Sequence, residues 1–530
     1  MSLSSLRELR ARLRGQDITL WAQDGKLRYA APRGRLTAEL RRILVERKLE
    51  LLEDLAANGG DAQLRRPPIE PRASKGPAPL SFAQQRIWFM DQLSPGNAAF
   101  NVPRVFRLVG PLALDVLQAA LDVVLERHAV LRTVYRVEGG EVRQIVRPGA
   151  RLVVERREAS GENREERIKD ALATAKVFSD RPFDLAADLV LRALVLRVGP
   201  DEHMLVAVLH HIVSDNWAEW VFFRELGAAY NALVAGRPAE LPALRVDYAD
   251  FSAWQRAWMR GEVLDELLAY WRSRLSGAPL LLTLPFDRPR TSAPSNRGAV
   301  EPLSMSPELT AQIKRFATEH GVTPFMFLLA VLNVVLMRYT NEEDIVVGSP
   351  IANRSSTETE ALVGVLINTL VLRADCSGNP PFREHLLRVR DMALAAYEYQ
   401  DIPFESLVEA LQPERTLSYH PLVQVMLVFH NTPAIALDLT GIEVQEHPLE
   451  HTSSKFDLCL SVEDAGSAFK GHVEYSVDLF DRAFALRFMG HYMTLLAGFL
   501  ARPNARLWDL EMVTRDERAE LIRMAQPGWS

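Results

Sequence analysis

The chain has 530 residues, 48% of them hydrophobic and 25% charged, with a formal net charge of −6 at pH 7. That length supports two or three packed cores, and a mildly acidic balance excludes the basic footprint of a nucleic-acid-binding protein. The two cysteines, Cys376 and Cys459, match no metal or redox spacing, which suits a reducing compartment, and no run of about 18 apolar residues marks a membrane span, so a cytoplasmic location is expected.

Residues 1–58 form a separate small module with twelve Lys and Arg against eight Asp and Glu. Leu3, Leu6, Leu9 and Leu13 recur at helical spacing, ITLWAQDGKLRYAA reads as two strands around an Asp24-Gly25 turn, and TAELRRILVERKLELLEDLA carries one or two amphipathic helices. A two-stranded hairpin leaves an edge to which an extended peptide can add, and Lys26, Arg28 and Arg33 would attract an acidic one. From 59 to 78 the sequence is rich in Gly, Pro and charge with no hydrophobic period, the pattern of a linker. Beyond it, helical and strand-like segments alternate, so the fold class is α/β.

The stretch LVAVLHHIVSDNW, Leu205–Trp217, organises the rest. A continuous apolar run with β-branched members predicts a strand covered on both faces, and it ends in His210, His211 and Asp215. Neighbouring strand side chains face opposite ways, so the two histidines need not share a role. Three readings follow from the residues: satisfied turn polarity, a metal site, or acyl transfer with a histidine as base or positioning group. HHxxxD does not place two histidines on one helical face and no cysteine cluster lies nearby, so no metal is expected.

Farther along, Asn368 lies in an apolar strand-like string, where an amide is costly unless hydrogen-bonded. SPELTAQIKRFATEHGVTPFMFLLAVLNVVLMRYT reads as two helices split at Gly321 and Pro324, followed by a strand in DIVVGSPIANR.

Seven strings, SFAQQRIWFM, RHAVLRTVY, HHIVSDNW, VDYADFSAWQ, VGVLINTLVLR, YQDIPFE and RTLSYHPL, occur in the order seen in nonribosomal peptide synthetase condensation domains, and residues 1–58 resemble TubC-type N-terminal docking domains. The resemblance implies two chloramphenicol-acetyltransferase-like lobes in a V-shaped pseudo-dimer, 79–259 and 260–510, after a small α+β (αββαα) docking domain. Residues 511–530 are expected to lead toward an adenylation domain.

The implied activity is amide-bond formation between an upstream carrier-bound donor thioester and the amine of a downstream carrier-bound aminoacyl thioester. Its string pattern is most similar to the subtype joining an L-donor to an L-acceptor; a starter type that installs a fatty acyl group and a noncatalytic recruitment platform are the alternatives. By the same resemblance His211 is catalytic, while His210, Trp217, Asp215 and its expected partner Arg132 support the motif. Asn368 is a tunnel candidate, and Asn216 stands where the family usually has glycine, which could serve either an unusual backbone angle, one that asparagine also tolerates, or the close passage of a carrier arm. No cofactor is bound directly, since phosphopantetheine arrives on carrier proteins. The implied partners are an upstream C-terminal tail and carrier, a downstream carrier, and a second docking domain in a homodimer; neither nucleic acid nor membrane is among them.

Overall fold

The computed structural model describes residues 9, 13, 19–23, 26–30, 38–57, 66–93, 95–279, 281–291, 295–354, 356–412, 418–430, 435–447, 449 and 453–525. In the N-terminal module, strands β1 (Thr19–Gln23) and β2 (Lys26–Ala30) pair antiparallel, with Trp21 opposite Arg28 and Gln23 opposite Lys26. Helices Ala38–Glu46 and Lys48–Ala57 follow, and Leu9, Leu13, Leu40, Leu44 and Leu51 are buried. The side chains of Lys26 and Arg28, and all of Arg33, lie outside the described residues.

The first lobe is built on β4 (Asn101–Val109), β7 (Glu155–Glu158), β8 (Leu191–Gly199) and β9 (Glu202–His210), in the spatial order β4-β9-β8-β7. Every position of β9 from His203 to His210 is buried, as its unbroken apolar run requires of a strand with both faces covered. Helix Asn216–Val234 packs on the sheet through Phe223, whose ring meets Phe106 of β4 edge-on at 4.9 Å. A smaller sheet of β3 (Ala78–Pro79), β5 (Thr133–Glu138) and β6 (Glu141–Val146) flanks it.

The second lobe carries a six-stranded mixed sheet of β10 (Gly298–Ser304), β11 (Asp344–Ile351), β12 (Asn368–Asp375), β13 (Val425–His430), β15 (Leu458–Asp464) and β16 (Phe469–Ser476). Helices Pro307–His320 and Pro324–Thr340 are divided where read from sequence, at Gly321 in the left-handed region with φ 66° and a proline opening the next helix. Among the described residues one single helix, Arg482–Ala501, is long and apolar enough to cross a membrane; here Phe484, Phe488, Leu495 and Phe499 bury it in this core.

Chain from beyond the expected boundary at 259/260 crosses back into the first lobe. Strand β14 (Glu443–Glu446) leaves the second lobe and pairs antiparallel with the outer edge of β4, Glu443 opposite Val109. Leu362, Val363, Val365 and Leu366, as well as Leu437, Leu439 and Ile442, belong to the first lobe's core. Two close backbone approaches seat this exchange. A Cβ on Gly227 would lie 2.7 Å from the Asp438 carbonyl oxygen, and one on Gly110 would lie 2.5 Å from that of Gly441.

The expected linker 59–78 is likewise fastened from Arg66 onward. Ile69 is buried in the first core, and the Trp254 indole donates to the Pro67 carbonyl at 2.8 Å. Arg66 grips Asp401 of the second lobe with two guanidinium nitrogens, while Arg72 donates its backbone N–H to Asp250 at 2.9 Å. Composition alone reads this stretch as a spacer because its anchors are isolated charges whose partners lie 178 and 335 residues away.

Gly364 is the tightest point of the crossing. A Cβ there would fall 1.9 Å from Tyr248 Cδ2, and its φ is +153°. Gly364→Ala is expected to destabilise the fold by about 2–3 kcal/mol through overpacking, whereas Gly199→Ala, whose Cβ would meet nothing nearer than 3.7 Å, should leave the urea midpoint nearly unchanged. Equal midpoints for the two variants would show that the crossing segment is not held against Tyr248.

Candidate active site

Where the apolar run of β9 ends, His210 closes the strand and His211 opens a short 3-10 turn, His211–Val213. His210 is 2% exposed. Its Nδ1 accepts the Ile212 N–H at 3.2 Å, and its ring lies 6.1 Å from that of Phe100 and 5.7 Å from that of Phe183. Burial holds its pKa below the ordinary histidine range, with Asp91 opposing the shift. His210 is therefore a wedge under the turn.

His211 is half-buried. Its backbone N–H donates to the Phe100 carbonyl at 2.8 Å, and its Nδ1 is 2.6 Å from the Ser214 carbonyl. A carbonyl oxygen only accepts, so Nδ1 carries the proton and Nε2 keeps its lone pair. Burial first, then the charge of Lys455, pushes the imidazole down to about 4, against the Ser214 carbonyl and Asp215. The ring is neutral at pH 7.

Asp215 fixes this turn. As the N-cap of helix Asn216–Val234 its Oδ1 accepts the Ala218 N–H at 2.8 Å, the usual service of an aspartate there. The same carboxylate takes an Arg354 guanidinium N–H at 3.1 Å and the backbone N–H groups of Leu366 and Ile367 at 2.8 and 3.1 Å. Both side chains of the ion pair are almost fully buried, at 2% and 3% exposure. Arg354 in turn donates to the carbonyls of Thr359, Leu362 and Gly364. Trp217 adds an indole bond to the Glu360 carbonyl at 2.9 Å and places its ring 5.8 Å from the Arg354 guanidinium.

The expected Arg132–Asp215 pair is thus corrected. Arg132 is buried, but it donates to the carbonyls of Leu125 and Glu126, both at 2.9 Å, closing the C-terminal end of helix Leu114–Arg127. Its partners, Leu125 and Glu126, are both on that helix end, and the cation that meets Asp215 is Arg354, from the other lobe.

Asn368, the tunnel candidate, has its amide hydrogen-bonded on both sides. Its amide donates to the carbonyls of Gln400 and Ile402 at 2.9 and 2.7 Å and accepts the Phe404 N–H at 3.0 Å, so the side chain ties β12 to the YQDIPFE turn. Asn216 begins its helix and is not among the residues with positive φ; the left-handed backbone that glycine could have served there does not occur.

Two residues of this region carried no sequence signal. Arg354 follows a strand in IANRSS, where a cation reads as solvated, and Lys455 precedes a strand in SSKFDL. Only the fold brings them to the histidine turn. Among the described residues no group of three His, Cys, Asp or Glu side chains is placed to hold a metal.

The family model described as Condensation domain matches residues 74–522, and that described as TubC N-terminal docking domain matches residues 6–56. A subunit of the linear gramicidin synthase of Brevibacillus parabrevis is 41% identical over 465 residues, 87% of this chain and 6% of that protein. Phosphinothricin tripeptide synthetase PhsC of Streptomyces viridochromogenes is 37% identical over 478 residues, 90% of this chain and 44% of that protein. The chain thus spans less than half the length of either relative. Among solved structures, the X-domain in its complex with OxyB from teicoplanin biosynthesis superposes with a TM-score of 0.78 at 27% identity, covering 85% of this chain and 99% of that one. The first condensation domain of the CDA synthetase superposes with a TM-score of 0.66 at 19% identity, over 83% and 100%, a likeness of fold alone.

Removing Arg354 would leave the Asp215 carboxylate buried without its countercharge. Arg354→Ala is expected to lower stability by about 3–5 kcal/mol, and Arg132→Ala by clearly less, since it leaves every Asp215 contact in place. Urea unfolding of both variants checks the order; a larger loss for Arg132→Ala would return the pair to its sequence-based assignment.

Proposed function

Because this chain belongs to the condensation domain family of nonribosomal peptide synthetases, with a TubC N-terminal docking domain ahead of the condensation domain, we propose that it joins two carrier-bound substrates through an amide bond at His211. The α-amine of a downstream aminoacyl thioester attacks the carbonyl carbon of an upstream donor thioester. The C–N bond forms, the C–S bond breaks, and the donor's pantetheine leaves as a thiol with the proton the amine gives up.

The observation that supports this reading best is the His211 ring. Its Nδ1 is committed to the Ser214 carbonyl, so the neutral imidazole offers its Nε2 lone pair to an N–H of the amine. Such an acceptor aligns the nitrogen's own lone pair with the thioester carbon and receives the proton as charge develops. Bringing both arms to one place contributes as well; positioning of this kind supplies roughly 7–11 kcal/mol in favourable cases. His210, Asp215 and Trp217 hold the turn, Arg354 supports it from the second lobe, and the half-buried Asn216 is the side chain we assign to selecting among donors.

For the docking module we infer recognition of an acidic C-terminal tail on an upstream synthetase subunit. A two-stranded sheet has unpaired edges to which such a tail can add, and Lys26, Arg28 and Arg33 supply the attracting charge.

His211→Ala is expected to slow transfer between natively charged carriers by about 10²-fold or more with little change in melting temperature; undiminished transfer would remove the catalytic assignment. Deleting residues 1–57 should leave the condensation domain folded and weaken transfer from the upstream subunit's own carrier. Isothermal calorimetry should show the upstream tail binding the full chain with an affinity that falls as salt rises. Equal tail affinity with and without the module would remove the docking assignment.

A further inference from the structure

We propose that Lys455 is a further catalytic residue: its ammonium, presented by the second lobe across from His211, is the positive charge that meets the oxyanion formed on the donor carbonyl when the amine attacks. The proposal rests on the reading of His211 given above.

Lys455 sits in a loop whose backbone is clamped on both sides. Ser453 bridges to Arg297, the Ser454 N–H donates to the Asn296 carbonyl at 2.9 Å, and the Asp457 N–H donates to the Gln424 carbonyl at 3.0 Å. The Asp457 carboxylate is itself held by Arg290 at 3.0 Å. β10 presses so closely that a Cβ on Gly298 would lie 2.7 Å from the Ser453 carbonyl oxygen.

From this clamp the side chain reaches the first lobe, with Nζ 5.1 Å from the centroid of Phe100. Phe100 is the residue whose carbonyl accepts the His211 N–H. The ammonium therefore stands beside the element that seats the imidazole, and among the described residues no carboxylate forms an ion pair with it. The charged groups that act on it are Arg86, which repels, and Glu474, which attracts; it acts in turn on His210 and His211.

The side chain is exposed, yet burial first, and Arg86 second, lower its pKa to about 8. Exposure leaves the ammonium open to a bound substrate, and the neighbouring protein and Arg86 make its proton easier to lose. Without a carboxylate paired to it among the described residues, the ammonium can meet a negative charge that forms beside it. Such a cation stabilises negative charge appearing only in the transition state, because its clamped loop has already oriented it.

The step balances without a further reactant. As the C–N bond forms, the carbonyl π pair moves to oxygen and lies against the Lys455 ammonium. Collapse returns that pair to the carbonyl and expels sulfur with the C–S pair, and the proton released by the amine goes to the thiolate by way of His211 Nε2.

The test uses the full chain with upstream and downstream carriers charged by their own adenylation domains. Lys455→Met is expected to lower kcat by about 10²-fold and to change KM for each carrier by less than about threefold, with an unchanged melting temperature. Lys455→Gln serves if the Met variant does not fold. In the unaltered chain transfer should decline as pH rises through about 8, where Lys455 loses its charge, and Lys455→Arg, which stays charged, should keep most of the activity and lose that decline. A loss confined to KM, or an alkaline decline that persists in Lys455→Arg, would overturn the proposal. If His211→Ala abolishes transfer while Lys455→Met leaves kcat unchanged, the proposal alone fails; if neither variant slows transfer, the reading of the site fails with it.

Discussion

The Asp215 carboxylate is the interaction on which the rest depends. It accepts from its own helix N-terminus, from Arg354, and from two consecutive backbone N–H groups at Leu366 and Ile367. A charge that deeply buried is tolerated only when paired and fully hydrogen-bonded, and here three of its four donors come from a segment at least 139 residues away in sequence. The turn bearing His211 is thereby held between lobes. Its geometry is a property of their contact, and neither lobe supplies it alone.

The exchange of chain between the lobes explains how that contact is kept. β14 extends the first lobe's sheet, Val363–Leu366 enters its core, and Tyr248 reaches over Gly364 to donate to the Val365 carbonyl at 2.7 Å. The Tyr248 hydroxyl also meets Ser81 Oγ at 2.8 Å, and Gln84, beside Ser81, bonds Tyr135 at 3.1 Å and the Ile212 carbonyl at 3.4 Å. The SFAQQ helix, the VDYADF helix and the VGVLIN crossing thus converge beneath the histidine turn. Strings that look unrelated along the chain are the walls of one small polar network.

Local patterns in the sequence were informative where the structure is local. The β9 run, the opposite fates of His210 and His211, the hairpin of the docking module, and the break at Gly321 all follow from spacing within a few residues. What spacing could not show were single charges with distant partners. The family resemblance pairs Arg132 with Asp215. The guanidinium instead satisfies the open carbonyls of the helix before it, and Arg354, from an undistinguished loop, takes its place. The segment from Arg66 to Lys75 reads as a spacer for the same reason: one buried isoleucine and three basic residues make no period, although they hold the chain across both lobes. Asn368 shows the complementary limit. A lone amide in an apolar string signals either a cavity or a buried hydrogen-bond set, and only the partners at Gln400, Ile402 and Phe404 decide between them.

A double-mutant cycle between Asp215 and Arg354, read on the rate of transfer as well as on stability, tests the central claim most directly. Asp215→Asn and Arg354→Gln would be measured singly and together with natively charged carriers. If the contact between lobes sets the position of His211, the two substitutions should couple in both readouts by about 1–3 kcal/mol, since once either partner is lost the other has little left to hold. Strictly additive effects on the rate, with His211 still fully competent in the single variants, would contradict it.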